Sequence, residues 1–220
     1  VSQSGLVSKV PQEGTMTGYL VYLSFPEQNA MHIARVSDKI NRALSGRSVI
    51  YGLNSIHQTI ADFKVGTSDI KPEEFSPDKD ILGVLGYAAL ESLISLGNET
   101  PFTLFGNYIY NSDSVVLRPL SATSERENYM TIELFAENAK KEGLAVRKAW
   151  GRHITVSRFT EVIPHQELGN FLKLMRINPS FPNASSDGDP IFAESLSVGY
   201  FTLNKEGFLL HRAYDFSLKD

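Results

Sequence analysis

Apolar residues recur along the chain with two different spacings, and each spacing predicts a different kind of element. Between Gln28 and Leu44 they come at every third or fourth position, which is the period of an amphipathic helix, and Gly46 follows as a typical helix end. Three more helices are predicted by their start signals: one opened by Ser76-Pro77 and reaching Gly97, one opened by a capping box of Ser124 and Glu127 and ending near Gly143, and one opened by Pro164.

Short, mostly apolar stretches between these helices are typical of strands. Gly18–Phe25 is continuously apolar and ends at Pro26, so we expect it in the middle of a sheet. Asn111–Ser114 and Asn204–Gly207 each separate two such stretches and predict β-hairpins. The other predicted strands cover residues 49–53, 56–65, 102–110, 115–120, 146–159, 196–203 and 208–216.

The order of the elements predicts an α+β fold, because helices and strands are interleaved while several strand pairs are hairpins. Each half of the chain contains a predicted strand, a helix and then a strand with a histidine, although this internal similarity is too weak to be a sequence repeat. We therefore expect a loose arm over residues 1–16 and a single bilobal domain over residues 17–220. In that domain two mostly antiparallel sheets with flanking helices would face each other across a central groove.

Composition restricts the chemistry. The chain has 220 residues, 42% of them hydrophobic, which is enough for an ordinary core. It has no cysteine, which excludes disulfides, thiol nucleophiles and thiolate metal sites. The net charge of -4 and pI near 5.8 give no basic field for long duplex nucleic acid, although one local positive pocket suffices for a short nucleotide. No apolar run reaches bilayer-spanning length, so we expect no membrane partner. We also expect a monomer and a cytoplasmic location, with which the absence of cysteine is compatible.

Two tetrapeptides carry the candidate chemistry: His57-Gln58-Thr59-Ile60 and His153-Ile154-Thr155-Val156. By composition only about 0.1 matches to this pattern are expected by chance in the chain. Residues two apart in a strand share a face, so each motif projects a histidine and a threonine together, and its second and fourth residues point towards the core.

Two imidazoles and two hydroxyls suit in-line attack at phosphorus. One of His57 and His153 would deprotonate the attacking water or hydroxyl, and the other would protonate the leaving oxygen. Thr59 and Thr155 would donate hydrogen bonds to the non-bridging oxygens. This chemistry needs no metal and no other cofactor, and the pattern does not say which histidine is the acid.

Other interpretations of these residues are weaker. A strand histidine that bonds neighbouring backbone explains a single motif well, but not a matched pair. A metal site built from His57, His153 and Asp62 has no recognised ligand spacing. The remaining histidines lack a partner motif and are expected at or near the surface: His32, His165 and His211.

The paired motifs resemble those of the two-histidine (2H) phosphoesterase superfamily, which includes the bacterial RNA 2',3'-cyclic phosphodiesterases, also known as 2'-5' RNA ligases. The second motif, continued through Arg158, is especially similar to the bacterial form. The resemblance implies a bilobal α+β fold with both motifs lining a central groove. Members act on 2',3'-cyclic phosphates, 2'-5' linkages, ADP-ribose cyclic phosphate or oligonucleotide ends.

Arg158 and the length of the chain depart from this pattern. In a regular strand Arg158 would face away from His153, and it would reach the groove only through a bulge or a strand end, so a phosphate contact and a surface salt bridge both stay open. The chain is longer than compact members, with the extra length placed in residues 66–101 and 178–194. These segments are expected to form a lid or a partner surface.

These observations favour a metal-independent phosphodiesterase that acts on a cyclic phosphate, a 2'-linked nucleotide or an RNA end. Two alternatives belong to other classes: a non-catalytic nucleotide- or RNA-binding module of the same fold, and a scaffold that binds partners through the inserted segments. The chain has no glycine-rich phosphate loop and no adenylation motif, so ligation driven by ATP is not expected.

Overall fold

The computed structural model describes residues 10–11, 13–97, 102–103, 105–111, 113–119, 122–149, 153–178 and 191–218. Four helices lie in these ranges: α1 (Glu27–Ala43), α2 (Lys79–Leu96), α3 (Ala122–Lys141) and α4 (His165–Ile177). The strands are β1 (Thr15–Ser24), β2 (Ser48–Ile50), β3 (Gln58–Ser68), β4 (Phe102–Thr103), β5 (Phe105–Tyr110), β6 (Ser114–Pro119), β7 (Arg147–Lys148), β8 (Ile154–Phe159), β9 (Ile191–Phe192), β10 (Ser195–Leu203) and β11 (Phe208–Ser217).

One antiparallel sheet carries most of the strands, in the order β11-β10-β1-β3-β8-β6-β5, with β2 also paired to β8 and β7 to β3. It curls into a half-barrel, and β4 and β9 form a separate pair. The predicted α+β fold is confirmed, and Gly18–Phe25 does supply a central strand. The two predicted sheets are two halves of this one sheet, because a single residue pair, Gln58 opposite Ile154, joins β3 to β8.

The helices pack on one face of the sheet, which we call the outer face. Phe171 of α4 contacts the ring of Phe159, and Glu133 of α3 binds Lys148. A Cβ added to Gly86 of α2 would lie 3.0 Å from the Tyr214 ring. Cross-strand neighbours share a face, so the strand registers assign every other strand residue to the outer face or to the opposite one, the inner face.

Segment 66–101 was expected to form a lid or a partner surface. Over its described residues, up to 97, it ends β3 and then forms α2, which packs against β10 and β1. Leu85, Ala88 and Ala89 of this helix are fully buried. The helix is therefore part of the outer-face core. Of the other inserted segment, residues 179–190 lie outside the described residues.

Two predicted helix starts were wrong. The cap of α2 is Asp78 and not Ser76, because the Asp78 carboxylate accepts hydrogen bonds from the backbone N–H groups of Asp80 at 2.9 Å and Ile81 at 3.3 Å. Helix α3 begins at Ala122, before the predicted cap at Ser124. Within the described residues, no helix is both long enough and apolar enough to cross a bilayer.

Candidate active site

The two His-x-Thr motifs meet at the seam between the halves of the sheet. Gln58 pairs with Ile154 in antiparallel register, so continuing that register by one residue sets His57 opposite Thr155 and Thr59 opposite His153. All four side chains then share the inner face, with the histidines on one diagonal of a square and the threonines on the other. Diagonal neighbours across antiparallel strands are roughly 7–8 Å apart.

Each motif carries a β-bulge at the same position. On β3 the register with β1 runs from Thr59 to Ala61 and skips Ile60, and on β8 the register with β6 runs from Thr155 to Ser157 and skips Val156. Both skipped residues are the apolar fourth residue of their motif. A bulge shifts the alternation of side chains by one, so the residues beyond it change face.

The bulge on β8 decides where Arg158 points. Arg158 lies five residues after His153 and would face away from it in a regular strand, but beyond Val156 it returns to the inner face. After the larger effect of burial, its positive charge contributes to the lowered pKa of His57. The Arg158 Nε donates a hydrogen bond of 3.1 Å to the hydroxyl of Tyr51. The structure therefore brings Arg158 to the site through the bulge at Val156, which is one of the two ways in which the sequence allowed Arg158 to reach the groove.

His57 is held in one orientation. Its Nδ1 lies 2.7 Å from the backbone carbonyl of Ser55, and because a carbonyl only accepts, Nδ1–H is the donor. The Phe208 ring stacks on the imidazole at 5.6 Å between centroids, with 15° between the planes. In the neutral ring Nε2 is therefore the atom that carries the lone pair and is available to take a proton.

Burial keeps His57 neutral. The side chain is enclosed, and this desolvation lowers its pKa to about 4, against the opposing effect of the Ser55 carbonyl. The positive charges of Arg158 and His153 lower the pKa further. His153 itself is half-buried, as are both threonines. The site thus pairs one enclosed, neutral imidazole with a more open one.

Three further arginines share the inner face by register. Arg118 follows Leu117, the residue of β6 that pairs with Ile154, Arg147 on β7 lies opposite Asp62, and Arg212 on β11 lies opposite Gly199. Arg147 is bound by Asp62 through Nε and Nη2 at 2.8–3.0 Å, and Arg212 is bound by Asp215. Asp113 also faces Arg158, so these arginines are partly balanced by nearby carboxylates.

A metal site formed by His57, His153 and Asp62 is not supported. Both carboxylate oxygens of Asp62 bind Arg147. In the part of the chain that the structure describes, no group of three histidine or acidic residues could hold a metal ion.

The other histidines lie away from the square. His32 is half-buried on α1, and His165 is the exposed first residue of α4. His211 is exposed and stacks on Tyr200 at 4.6 Å, on the outer face. All three therefore lie apart from the paired motifs, as expected.

Several side chains around the site were not singled out from sequence. From sequence, Tyr22 and Tyr51 are two of several possible base-stacking aromatics, with core packing as the default, and both are almost fully buried. Their roles follow from pairings between distant strands. Phe208, Arg212 and Asp215 lie on the last strand and reach the site only through the curl of the sheet.

The fold is shared with three solved structures. LigT of E. coli in complex with 3'-AMP is 14% identical over 93% of this chain and 99% of that chain, with a TM-score of 0.53. LigT in complex with phosphate is also 14% identical over 93% and 99%, with a TM-score of 0.51. The protein TT0787 of Thermus thermophilus is 16% identical over 91% and 97%, with a TM-score of 0.51.

At these identities the likeness shows the fold alone. No protein-family model matches the chain, and no curated protein matches it in sequence.

Proposed function

We propose that this protein is a metal-independent phosphodiesterase that hydrolyses a cyclic phosphate, a 2'-linked nucleotide or an RNA end. The observation that carries the proposal is the inner-face square of two histidines and two threonines, with Arg158 beside it. A phosphate in the square has an imidazole on each side of phosphorus, as in-line displacement requires. The shared fold supports the class of reaction, and the LigT complexes with 3'-AMP and phosphate support ligands of this size.

His57 acts as the base and His153 as the acid in the direction of hydrolysis. Nε2 of neutral His57 takes a proton from water as the water oxygen bonds to phosphorus. The bond from phosphorus to the leaving oxygen breaks, and protonated His153 gives its proton to that oxygen. His57 then releases its proton to solvent, and His153 takes one up. The low pKa of His57 and the more open position of His153 favour this assignment.

Three donors stabilise the charge that develops on the non-bridging oxygens. The hydroxyls of Thr59 and Thr155 occupy the other diagonal of the square and donate to these oxygens. The guanidinium of Arg158, held by its bond to Tyr51, adds a fixed positive charge. Because these donors are built into paired strands, they need little reorganisation when the substrate reacts.

Hydrolysis of a substrate panel in the presence of EDTA tests this function. The panel contains 2',3'-cyclic nucleotides, a 2'-5' dinucleotide and ADP-ribose 1'',2''-cyclic phosphate. We expect turnover of at least one of them, reduced by roughly 10²–10⁴ in His57→Ala and in His153→Ala. His211→Ala, an exposed change on the outer face, is the matched control and should keep full activity.

Turnover by the folded double alanine variant at the rate of the natural chain would contradict the proposal. Binding of 3'-AMP or a cyclic nucleotide with no product from any substrate would instead indicate a binding module of the same fold.

A further inference from the structure

Tyr22 is the aromatic neighbour that β1 contributes to His57. It lies directly opposite Thr59, and its side chain is only 2% exposed. The phenol ring stands nearly perpendicular to the imidazole, at 69° and 5.4 Å between centroids. With the Ser55 carbonyl at Nδ1 and Phe208 on the face of the ring, Tyr22 completes the contacts that fix the imidazole.

The hydroxyl of Tyr22 is held by a charged cluster on the neighbouring strands β10 and β11. Ser197 lies directly opposite Tyr22 in the pairing of β1 with β10. Against the larger effect of burial, Arg212 and Ser197 lower the pKa of the Tyr22 phenol, which sets both side chains beside its hydroxyl. Asp215 in turn accepts from the Arg212 Nη1 at 3.0 Å and from the Ser197 hydroxyl at 2.5 Å. Burial raises the pKa of the Tyr22 phenol, so it stays neutral and serves as an anchor, not as a base.

A bulge makes this cluster possible. Arg212 and Asp215 are three residues apart and would face opposite sides of a regular strand, but the register of β11 with β10 skips Ala213. Arg212 therefore lies opposite Gly199 and Asp215 opposite Ser197, both on the inner face. Gly199 is required there, because a Cβ would clash with the carbonyl oxygen of His211.

We propose that Tyr22 is a positioning residue for His57, and that Arg212 and Asp215 act on the reaction by holding the Tyr22 hydroxyl. The proposal rests on the proposed function, in which His57 takes the proton from water. A ring fixed on three sides keeps Nε2 directed at the attacking water, and a small misplacement of a reacting group can cost up to about a hundredfold in rate. None of these three residues needs to touch the substrate.

The test is a double-mutant cycle on turnover of the panel substrate that the natural chain hydrolyses fastest. Tyr22→Phe and Arg212→Gln should each lower kcat by about fivefold, with KM nearly unchanged, since both loosen the same ring. The double variant should be no slower than the slower single variant, because the second change removes nothing further. Tyr19→Phe, also buried on β1 but facing outwards, is the matched control. The proposal would be overturned if the kcat losses of the two single variants multiply in the double variant, or if Arg212→Gln alone raises KM. Either result would make Arg212 a separate substrate contact.

An NMR titration of the His57 imidazole separates this inference from the proposed function, because it needs no turnover. In the natural chain and in Tyr19→Phe the ring should show the Nδ1–H tautomer and resist protonation. In Tyr22→Phe and Arg212→Gln, variants whose folding is checked by their thermal midpoints, the pKa should rise towards its ordinary value. An unchanged His57 titration in both variants would overturn the positioning role. Failure of every panel substrate would count against the proposed function only.

Discussion

At the scale of single residues, the burial of the His57 imidazole determines both its protonation state and the ring nitrogen that can accept a proton. Burial lowers its pKa to about 4, and the same enclosure leaves Nε2 as its proton acceptor. A histidine that stays neutral in the folded state takes up protons less readily than the same residue in the unfolded chain, which has a pKa of about 6.5. The pH dependence of the free energy of unfolding therefore reports the difference between the pKa of His57 in the folded chain and its pKa in the unfolded chain.

The first residue-scale prediction concerns stability in acid. Above pH about 6.5 the imidazole is neutral in both states, whereas between about 6.5 and 4 the unfolded chain binds a proton that the folded chain does not. Falling pH thus destabilises the fold through His57, by up to about 3 kcal/mol when pH 4 is reached.

His57→Asn removes this contribution while its amide can still donate to the Ser55 carbonyl. Denaturant unfolding at a series of pH values should give the variant a flatter dependence than the natural chain between pH 7 and 4. If the free energy of unfolding depends on pH in the same way for the two proteins, the pKa of His57 is not lowered in the folded chain.

Arg158 supports a second residue-scale prediction, which decides between a phosphate contact and a surface salt bridge. Arg158→Lys keeps the charge but loses the planar fork and its bond to Tyr51, so kcat/KM should fall by roughly 10–100-fold. Arg176→Lys, on the exposed last turn of α4, should have no effect. Full activity of Arg158→Lys in the kinetic assay would return Arg158 to a structural role.

At the scale of elements, the sequence predicted most of the helices and strands but not their irregularities. The period-two rule assigned His57, Thr59, His153 and Thr155 to one face correctly, because the bulges come after them. For Arg158 the rule gives the opposite face only in a regular strand, and the sequence left open whether a bulge or the end of the strand would bring it to the groove. A bulge depends on how two distant strands pair, so the local pattern that locates a strand cannot reveal it. The same holds for Tyr22, whose partners come from strands far away in the chain.

A prediction at this scale tests the bulge on β11. Gly199→Ala would force the backbone at His211 to move, because the new Cβ would also lie 3.3 Å from the Arg212 Cα. We expect a loss of about 2 kcal/mol in the free energy of unfolding, as for other overpacked sites.

Gly169→Ala is the matched control, since a Cβ at this helical position meets nothing within 4 Å. Alanine is the better helix former there, so this change should stabilise α4 slightly. Equal effects of the two substitutions in denaturant unfolding would contradict the close approach of β11 to Gly199.

At the scale of the whole molecule, the two halves of the sheet share one core. They are joined by a single strand pair, yet one continuous cluster of buried residues runs through both, with Ile60 and Leu196 in the first half and Val156 and Phe159 in the second. Tyr51, which follows β2, also stacks across the seam on Phe208 of β11 at 4.8 Å. The described residues of both halves thus belong to one interior.

We therefore expect the chain to unfold in one cooperative transition, as a single bilobal domain does. Far-UV and near-UV circular dichroism should give the same thermal midpoint, and calorimetry should give a single peak. Two resolved transitions would mean that the seam divides independent folding units.

The matching bulges at Ile60 and Val156 have a further consequence. They make the backbone of the two motifs nearly equivalent under a half-turn about the Gln58–Ile154 pair, so each motif presents its histidine and threonine to the other in the same way. Asp62 and Arg158 occupy corresponding positions in that rotation, and they carry opposite charges. The site thus has a charge polarity that its two motifs lack, and the proposed hydrolysis would therefore bind its substrate in one preferred orientation.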